Sequence, residues 1–401
     1  MKQTTASVRD TSIDVIRALA LITIFINHVP GNPLEALTTK NFGLSDAAEA
    51  FVLLSGVSAG FAYGLKFGGP ARLGIALRAW RRAGVLYIAQ LGTTMATLGI
   101  FAFMALHFAA PGLLEKINIA PVIEDPAAAL VGLVTFGHQL GYNNLLSMYA
   151  VVLVMMPVFL MIGSISLRAM VAASGGLWLV AGLARIAPPN FPAEGVWFLN
   201  PLSWQFLFVL GIAATMHLKR GGRLPVHPLL VGAAGFYVLV AFLWVRIPLW
   251  GIDTSLGLPA VLTGFDKTYL SAPRLLHVLA LGYLIAAVPR VAGFARLDRD
   301  HPLATMGRHS LPVFVAGTIL AMAAQAWREV HATGPVADVV LVTAGIATQF
   351  ALAYYIEWYR RVTSSKPETG RGKAPSIVPG EVAALSPAHV RVRRQAVKAV
   401  S

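Results

Sequence analysis

Long apolar runs, each of about twenty residues, recur along the 401-residue chain and constrain its fold more than any other feature. Because about 20 apolar residues cross a bilayer as a helix, these runs predict about ten transmembrane helices. Outer-membrane barrels alternate apolar and polar residues instead, so the predicted fold class is an all-α integral membrane protein, a polytopic bundle. The predicted spans are 11–30, 47–65, 83–107, 145–163, 168–187, 201–217, 228–246, 272–289, 310–327 and 336–358.

Composition supports this class and excludes others. Hydrophobic residues make up 56% of the chain and charged residues 12%, whereas about a quarter of a soluble domain is charged. The chain has no cysteine, which excludes disulfides, thiolate metal sites and cysteine nucleophiles. It also has no P-loop, GxSxG or HExxH motif, which disfavours phosphate-driven transport and the common hydrolases. We expect no metal site.

Basic residues predict the orientation of the bundle. If the N-terminus is cytoplasmic, about three quarters of the 32 Lys and Arg residues fall on the cytoplasmic side, as the positive-inside rule requires. We therefore expect a cytoplasmic N-terminal segment 1–10, a membrane domain 11–360 and a basic, disordered cytoplasmic tail 361–401. The net charge of +14 then reports topology and not nucleic-acid binding. Asp14 and Arg17 within the first run indicate a retained span and not a cleaved signal peptide.

The first predicted span carries three ionisable residues, Asp14, Arg17 and His28. Ionisable groups are costly in a bilayer and mark candidate functional sites. At 100° per residue the three share one helix face, and His28 lies about 16 Å beyond Arg17 toward the outer side.

The second predicted span begins with Ser45, Asp46 and Glu49, a pattern typical of helix capping. Glu49 enters the bilayer at the level of His28. A carboxylate beside an imidazole raises its basicity, as a general base for a hydroxyl requires. A buried structural pair or an ion-coupling pair between the two helices remains the alternative.

Further polar side chains cluster at the outer ends of other spans and predict a cleft for a hydroxylated ligand. With Ser45 and Asp46, these substrate-binding candidates are Asn143, Asn144, Trp204, Gln205, Lys267, Arg274 and His277. Aromatic residues at this level are also typical of an interfacial belt. On the cytoplasmic side, arginines are candidates for binding donor phosphates, or are orientation signals alone. They are Arg78, Arg81, Arg82 and Arg308.

Residues 13–20, with His28 after ten intervening residues from Arg17, resemble the arginine-x10-histidine signature of the membrane acyltransferase-3 superfamily. Residues 45–56 are similar to the OpgC family, the succinyltransferases of osmoregulated periplasmic glucans. Segments 200–205, 266–277 and 307–312 resemble that family in the same order, so the resemblance covers about residues 10–360. Ala18 departs from the superfamily pattern, which usually has glycine after the arginine; this concerns helix packing.

The resemblance implies an enzyme of the bacterial inner membrane that moves an acyl group, expected to be succinyl, from cytoplasmic acyl-CoA to a hydroxyl of a periplasmic glucan or related glycan. It implies that His28 is the general base or a transient acyl carrier, and that Arg17 orients it or binds the donor. Glu49 is the expected partner of His28. A proton-coupled transporter, with Asp14, Arg17, His28 and Glu49 as a relay, remains the alternative, and a structural membrane subunit is the third.

Overall fold

The computed structural model describes residues 11–247 and 249–364, where the secondary structure is helical apart from one isolated bridge between Pro189 and Val196. The α-helices in this part of the chain are α1 (Ser12–Asn27), α2 (Ala47–Tyr63), α3 (Ala71–His107), α4 (Ala120–Glu124), α5 (Pro126–Val134), α6 (Leu145–Ile165), α7 (Leu167–Leu183), α8 (Pro201–Lys219), α9 (Pro228–Arg246), α10 (Ala260–Thr263), α11 (Ala272–Ala287), α12 (Pro289–Ala292), α13 (Pro302–Arg308), α14 (Ser310–Val330) and α15 (Pro335–Ser364).

Each of the ten predicted spans coincides with one of these helices. Within the described residues, seven helices are long and apolar enough to cross a membrane: α2, α3, α6, α8, α9, α14 and α15. α11 and α12 meet at an angle of 94° and together form an eighth candidate. α1, with 16 residues, and α7, with 17, are shorter. The predicted all-α polytopic bundle is confirmed, and length and composition support seven or eight spans.

Helix starts follow local sequence signals. Asn200 caps α8 by accepting a hydrogen bond from the backbone N–H of Leu202 at 3.1 Å, and Pro201 occupies the first helical position. Proline is tolerated there because its missing N–H would have no partner inside the helix. At α2 the cap is Asp46 and the third residue is Glu49, which together form a capping box. This cap places both carboxylates at one end of the bundle.

The third predicted span is longer than expected. α3 begins at Ala71 and not near residue 83, so Arg78, Arg81 and Arg82 lie inside the helix. Arginine is a good helix former, and a search for apolar runs ends where the charges begin. The helix therefore continues past the apolar part of its sequence and carries its arginines on the extension.

Two close helix contacts depend on glycine. A Cβ at Gly56 of α2 would lie 2.0 Å from the carbonyl oxygen of Phe208 on α8, and a Cβ at Gly211 of α8 would lie 2.5 Å from that of Leu53. Small residues allow helix backbones to approach in this way. The backbones of α2 and α8 are therefore in direct contact. This contact fixes the position of α2 and, with it, of the polar residues at its N-terminus.

α1 is held on several sides by α2, α13 and α14. A Cβ at Gly307, near the end of α13, would lie 1.8 Å from the carbonyl oxygen of Asp14, so this end of α1 tolerates no larger side chain there. Val15, Ala18 and Leu21 of α1 are buried. The position of α1, and so of its ionisable side chains, is set by tight contacts along its length.

The predicted terminal segments are largely outside the described residues, namely 1–10 and 365–401. α15 continues to Ser364, beyond the predicted end at residue 358. Residues up to Trp358 form one compact unit, and a second unit begins at Tyr359. The prediction of a disordered tail stays a prediction.

Candidate active site

Two cavities lie along α1. The first, which we call the histidine cavity, has a volume of about 180 Å³ and is lined by Ile24 and Asn27 of α1 and by His28, the residue that directly follows α1. The second, the arginine cavity, has a volume of about 210 Å³ and is lined on α1 by Arg17. His28 is eleven positions after Arg17, about 16 Å along a helix. One helix therefore reaches a separate cavity near each of its ends.

His28 directly follows the last residue of α1. Its imidazole ring stacks on the ring of Tyr142, with 4.7 Å between the ring centroids and 15° between the ring planes. Its backbone carbonyl accepts a hydrogen bond from Nε2 of Gln325 on α14 at 2.6 Å. Both the ring and the backbone of His28 are thus held in place at the wall of the histidine cavity.

A network of four charged side chains lies beside the histidine cavity, where the start of α2 meets the residues before and within α11. Asp46 accepts a hydrogen bond from Nζ of Lys267 at 2.5 Å. Glu49, which is completely buried, accepts hydrogen bonds from Nε and Nη2 of Arg274 at 2.8 and 2.5 Å. Two carboxylates face two cations, and this balance allows the charges to be buried.

The predicted pair of Glu49 with His28 is corrected by these contacts. One oxygen of Glu49 bonds Arg274, and the other accepts the backbone N–H of Asp46 at 3.1 Å. The charged partner of Glu49 is Arg274, which is more than 200 positions away in the chain, so local spacing in the sequence cannot reveal it. Glu49 supports the wall that carries Asp46 and Lys267, while the ring neighbour of His28 is Tyr142.

The polar part of the lining of the arginine cavity consists of cations and hydroxyl groups. Arg17 donates to Oγ of Ser58 and, over 3.4 Å, to Asp14. Arg82 is exposed and also lines the cavity, so the cavity opens toward the surface at this end. The remaining polar lining comes from Ser55, Tyr149 and Ser310. Guanidinium and hydroxyl donors of this kind suit an anionic or carbonyl-rich ligand.

Three of the predicted substrate-binding residues line the histidine cavity: Asp46, Asn144 and Lys267. Two others, Ser45 and His277, bond each other behind the cavity wall. Nδ1 of His277 accepts the backbone N–H of Ser45 at 3.2 Å, and Oγ of Ser45 lies 2.7 Å from the same nitrogen. Arg274 and His277, three residues apart on α11, both face the start of α2 and hold it.

Asn143, Trp204 and Gln205 are buried and bond protein groups. Nε1 of Trp204 donates to the backbone carbonyl of Lys267 at 3.0 Å, which positions the lysine. Gln205 donates to the carbonyl of Ser174 at 2.9 Å and accepts from its hydroxyl. Nδ2 of Asn143 donates to Thr97 at 3.0 Å. These side chains organise the surroundings of the cavity and do not line it.

The four predicted donor-binding arginines occupy different places. Arg82 lines the arginine cavity, whereas Arg78 and Arg81 are exposed on α3 and do not line it. Arg308 lies 3.9 Å from Glu357, which also bonds Nε2 of His309 at 2.9 Å. Arg308 does not line the cavity, whereas Ser310, two residues further on, does.

Several lining residues were not singled out from the sequence. Tyr149 is a single tyrosine within the largely apolar sequence of α6, and Ser55 and Ser58 belong to α2, which is rich in small residues. No periodic signal marks them, although a hydroxyl inside a span is itself a weak indication. The histidine cavity is also lined by Lys40 and Phe198 from connecting segments, whose positions depend on the folded chain.

Among the described residues, no group of three His, Asp or Glu side chains is placed to hold a metal ion. The chemical groups at the two cavities include an imidazole, a balanced set of charges and hydrogen-bond donors. An imidazole at a cavity wall can accept a proton from a hydroxyl or carry a group transiently. The histidine cavity suits such a reaction, and the arginine cavity suits binding.

Fold and site together define a polytopic membrane protein with an internal histidine site and a separate cation-lined cavity on the same helix. The family model described as OpgC protein matches residues 9–361, nearly the whole chain, and the chain therefore belongs to the OpgC family. Membership supports a membrane-associated, glucan-modifying function of the acyltransferase kind. No curated protein and no solved structure matches the chain at a significant level.

Proposed function

We infer that the protein is an acyl-CoA-dependent O-acyltransferase of the bacterial inner membrane. It moves a succinyl group from cytoplasmic succinyl-CoA to a hydroxyl of a periplasmic glucan or related glycan. Both chain termini are cytoplasmic in this proposal, so the arginine cavity faces the cytoplasm and the histidine cavity faces the periplasm. The observation that carries the proposal is the placement of Arg17 and His28 in two different cavities along one helix.

The arginine cavity receives the donor in this proposal. The phosphates of CoA are too costly to bury in a low-dielectric core, so they stay at the cytoplasmic surface near Arg82. The pantetheine arm enters the cavity, where its amide groups need hydrogen-bond partners. Hydroxyl groups of Ser55 and Tyr149 line that path and provide them.

The histidine cavity receives the acceptor sugar. His28 takes the proton of the acceptor hydroxyl while the oxygen forms its bond to the acyl carbon and the carbon–sulfur bond to CoA breaks. In the carrier variant, an imidazole nitrogen first forms a bond to the acyl carbon as the carbon–sulfur bond breaks and CoA leaves as the thiolate. The hydroxyl oxygen then attacks the same carbon, the carbon–nitrogen bond breaks, and the freed imidazole accepts the hydroxyl proton. Asp46, Asn144 and Lys267, which line the same cavity, orient the sugar.

The succinyl assignment is supported by charge. Lys40 and Lys267 line the histidine cavity together with His28, and each is paired with one carboxylate, Glu35 and Asp46. Each ammonium group has three donors, so Lys40 and Lys267 retain N–H groups that could bond the terminal carboxylate of a succinyl group besides their own partners. The assignment otherwise rests on the family to which the chain belongs.

The test is mass spectrometry of periplasmic glucans from cells that express the intact protein, the His28→Ala variant, or neither. We expect a mass increment on the glucans only with the intact protein, and the size of the increment identifies the acyl group. His107→Ala is the matched control, because His107 ends α3 and lines neither cavity. It should leave the increment unchanged.

Identical glucans in all samples, with the variants well expressed, would contradict the proposal. In that case uptake or proton flux that depends on His28 would favour the transporter. Modification that persists in His28→Ala would instead show that a glucan acyltransferase is present whose chemistry does not use this histidine.

A further inference from the structure

The histidine and arginine cavities approach each other within one helical turn. On α2, Ala47 and Ala48 line the histidine cavity and Phe51 lines the arginine cavity. Three residues of an α-helix rise about 4.5 Å. On α6, the neighbours Leu145 and Leu146 line the histidine and the arginine cavity respectively. The two spaces are thus separated only by a thin layer of side chains.

This layer is apolar and closely packed. Phe51 is 7% exposed, Leu146 3% and Phe314 5%. The rings of Phe51 and Phe314 face each other with 6.1 Å between their centroids. A packed apolar layer of this kind excludes water and charged groups.

The direction of α2 explains why Phe51 is the central member of the layer. Side chains on a helix lean toward its N-terminus, and the N-terminus of α2 lies at the histidine cavity. A side chain at Phe51 is therefore directed toward the turn that contains Ala47 and Ala48, which line the histidine cavity with small side chains. Phe51 is the large residue of α2 between the two cavities.

We propose that Phe51 closes the histidine cavity from the arginine cavity, and that displacement of its ring joins them into one passage. Its meaning for catalysis rests on the proposed function: the closed ring keeps water of the histidine cavity from a donor thioester in the arginine cavity. When the ring turns aside, the opening is narrow and lies between Leu146 and Phe314. It therefore favours unbranched acyl chains over branched or aromatic ones.

The absence of cysteine from the sequence permits a direct test of this separation. Asn144→Cys places a thiol at the histidine cavity, and Ser55→Cys places one at the arginine cavity, one turn beyond Phe51 on the same helix face. Sealed membranes are treated with a small, membrane-impermeant thiosulfonate from the side on which Asn144→Cys reacts. The extent of labelling is compared with total labelling after unfolding in detergent.

With Phe51 present, we expect Ser55→Cys to react slowly from that side. In the Phe51→Ala background its labelling rate should rise about tenfold or more, because a packed layer is replaced by an opening. Phe51→Leu retains an apolar side chain and folding, and should give a smaller increase. Phe101→Ala is the matched control, because it removes a ring that is equally buried and lines neither cavity. It should give no increase.

Ready labelling of Ser55→Cys with Phe51 intact would overturn the proposal, since the cavities would already be joined. Slow labelling in Phe51→Ala would also overturn it, and an increase with Leu146→Ala alone would assign the closure to that residue instead. Equal increases in Phe51→Ala and Phe101→Ala would show general loosening and not a specific closure. The experiment needs neither donor nor acceptor, so the proposed function could fail while the closure by Phe51 stands.

Discussion

The imidazole ring of His28 lies parallel to the phenol ring of Tyr142, at 4.7 Å between centroids. Tyr142 belongs to the turn before α6, so a residue from outside α1 determines how the candidate catalytic ring is oriented. The contact replaces the carboxylate partner that the sequence predicted for His28.

Tyr142→Ala should slow acyl transfer, because the imidazole loses the surface that holds its plane. Stacked aromatic pairs contribute about 0.5–1.5 kcal/mol, which corresponds to about a two- to tenfold lower kcat. Tyr142→Phe retains the ring and should remain near the intact protein. Steady-state kinetics of both variants check this expectation. A loss in Tyr142→Phe as large as that in Tyr142→Ala would show that the hydroxyl, and not the stack, is what matters.

Glu49→Gln should destabilise the protein strongly, because it leaves the buried charge of Arg274 without its main partner. Breaking a buried ion pair from one side costs about 3–5 kcal/mol. Asp266→Asn is the matched control, since its partner Arg185 is 57% exposed and such pairs contribute at most about 1 kcal/mol. Thermal unfolding in detergent micelles measures the difference. Equal effects of the two substitutions would contradict the importance of burial at Glu49.

Arg82→Ala should weaken donor binding, because Arg82 lines the arginine cavity where it opens to the surface. Hydrogen bonds to charged groups contribute about 1.5–3 kcal/mol, so the KM for acyl-CoA should rise about tenfold or more with little change in kcat. Arg78→Ala removes an arginine one turn earlier on the same helix and should change KM less than about twofold. A larger effect at Arg78 would place the donor outside the cavity.

Gly56→Ala should disrupt the contact between α2 and α8, since the added Cβ would lie 2.0 Å from the carbonyl oxygen of Phe208. Overpacking at a tight contact costs about 1–3 kcal/mol or more. Gly232→Ala on α9 adds a methyl group where no atom lies within 4 Å. It should be neutral or slightly stabilising, by up to about 1 kcal/mol. Comparison of the two melting temperatures tests whether the backbone contact is required.

The regular part of the fold could be predicted from sequence because it depends on local patterns. Apolar runs located ten of the fifteen α-helices in the described residues, and Arg17 and His28, which helical spacing placed on one face, each line a cavity. The motif at Asp46 and Glu49 correctly indicated a helix cap. The start of α3 was misplaced because the search followed apolar residues, whereas the helix continues through arginines.

The partners within the site could not be predicted in the same way. Arg274 meets Glu49, and Tyr142 meets His28, through contacts between segments far apart in the chain. Which of several buried polar residues line a cavity, and which bond each other behind its wall, is decided by packing. Trp204 illustrates this. Its aromatic ring is of a type that can stack on a sugar, but the side chain is buried and its indole N–H donates a hydrogen bond to the backbone carbonyl of Lys267.

The hydrogen bond from Gln325 to the backbone carbonyl of His28 links α14 directly to the candidate catalytic residue. Ser310, at the start of the same helix α14, lines the arginine cavity. Gln325 is fifteen positions after Ser310, about 22 Å of straight helix. α14 thus fixes the distance between the cavity that a donor enters and the histidine that it must reach. Under the proposed function, the protein selects donors by the length of their arm: a thioester on a truncated arm would enter the arginine cavity but would not reach His28.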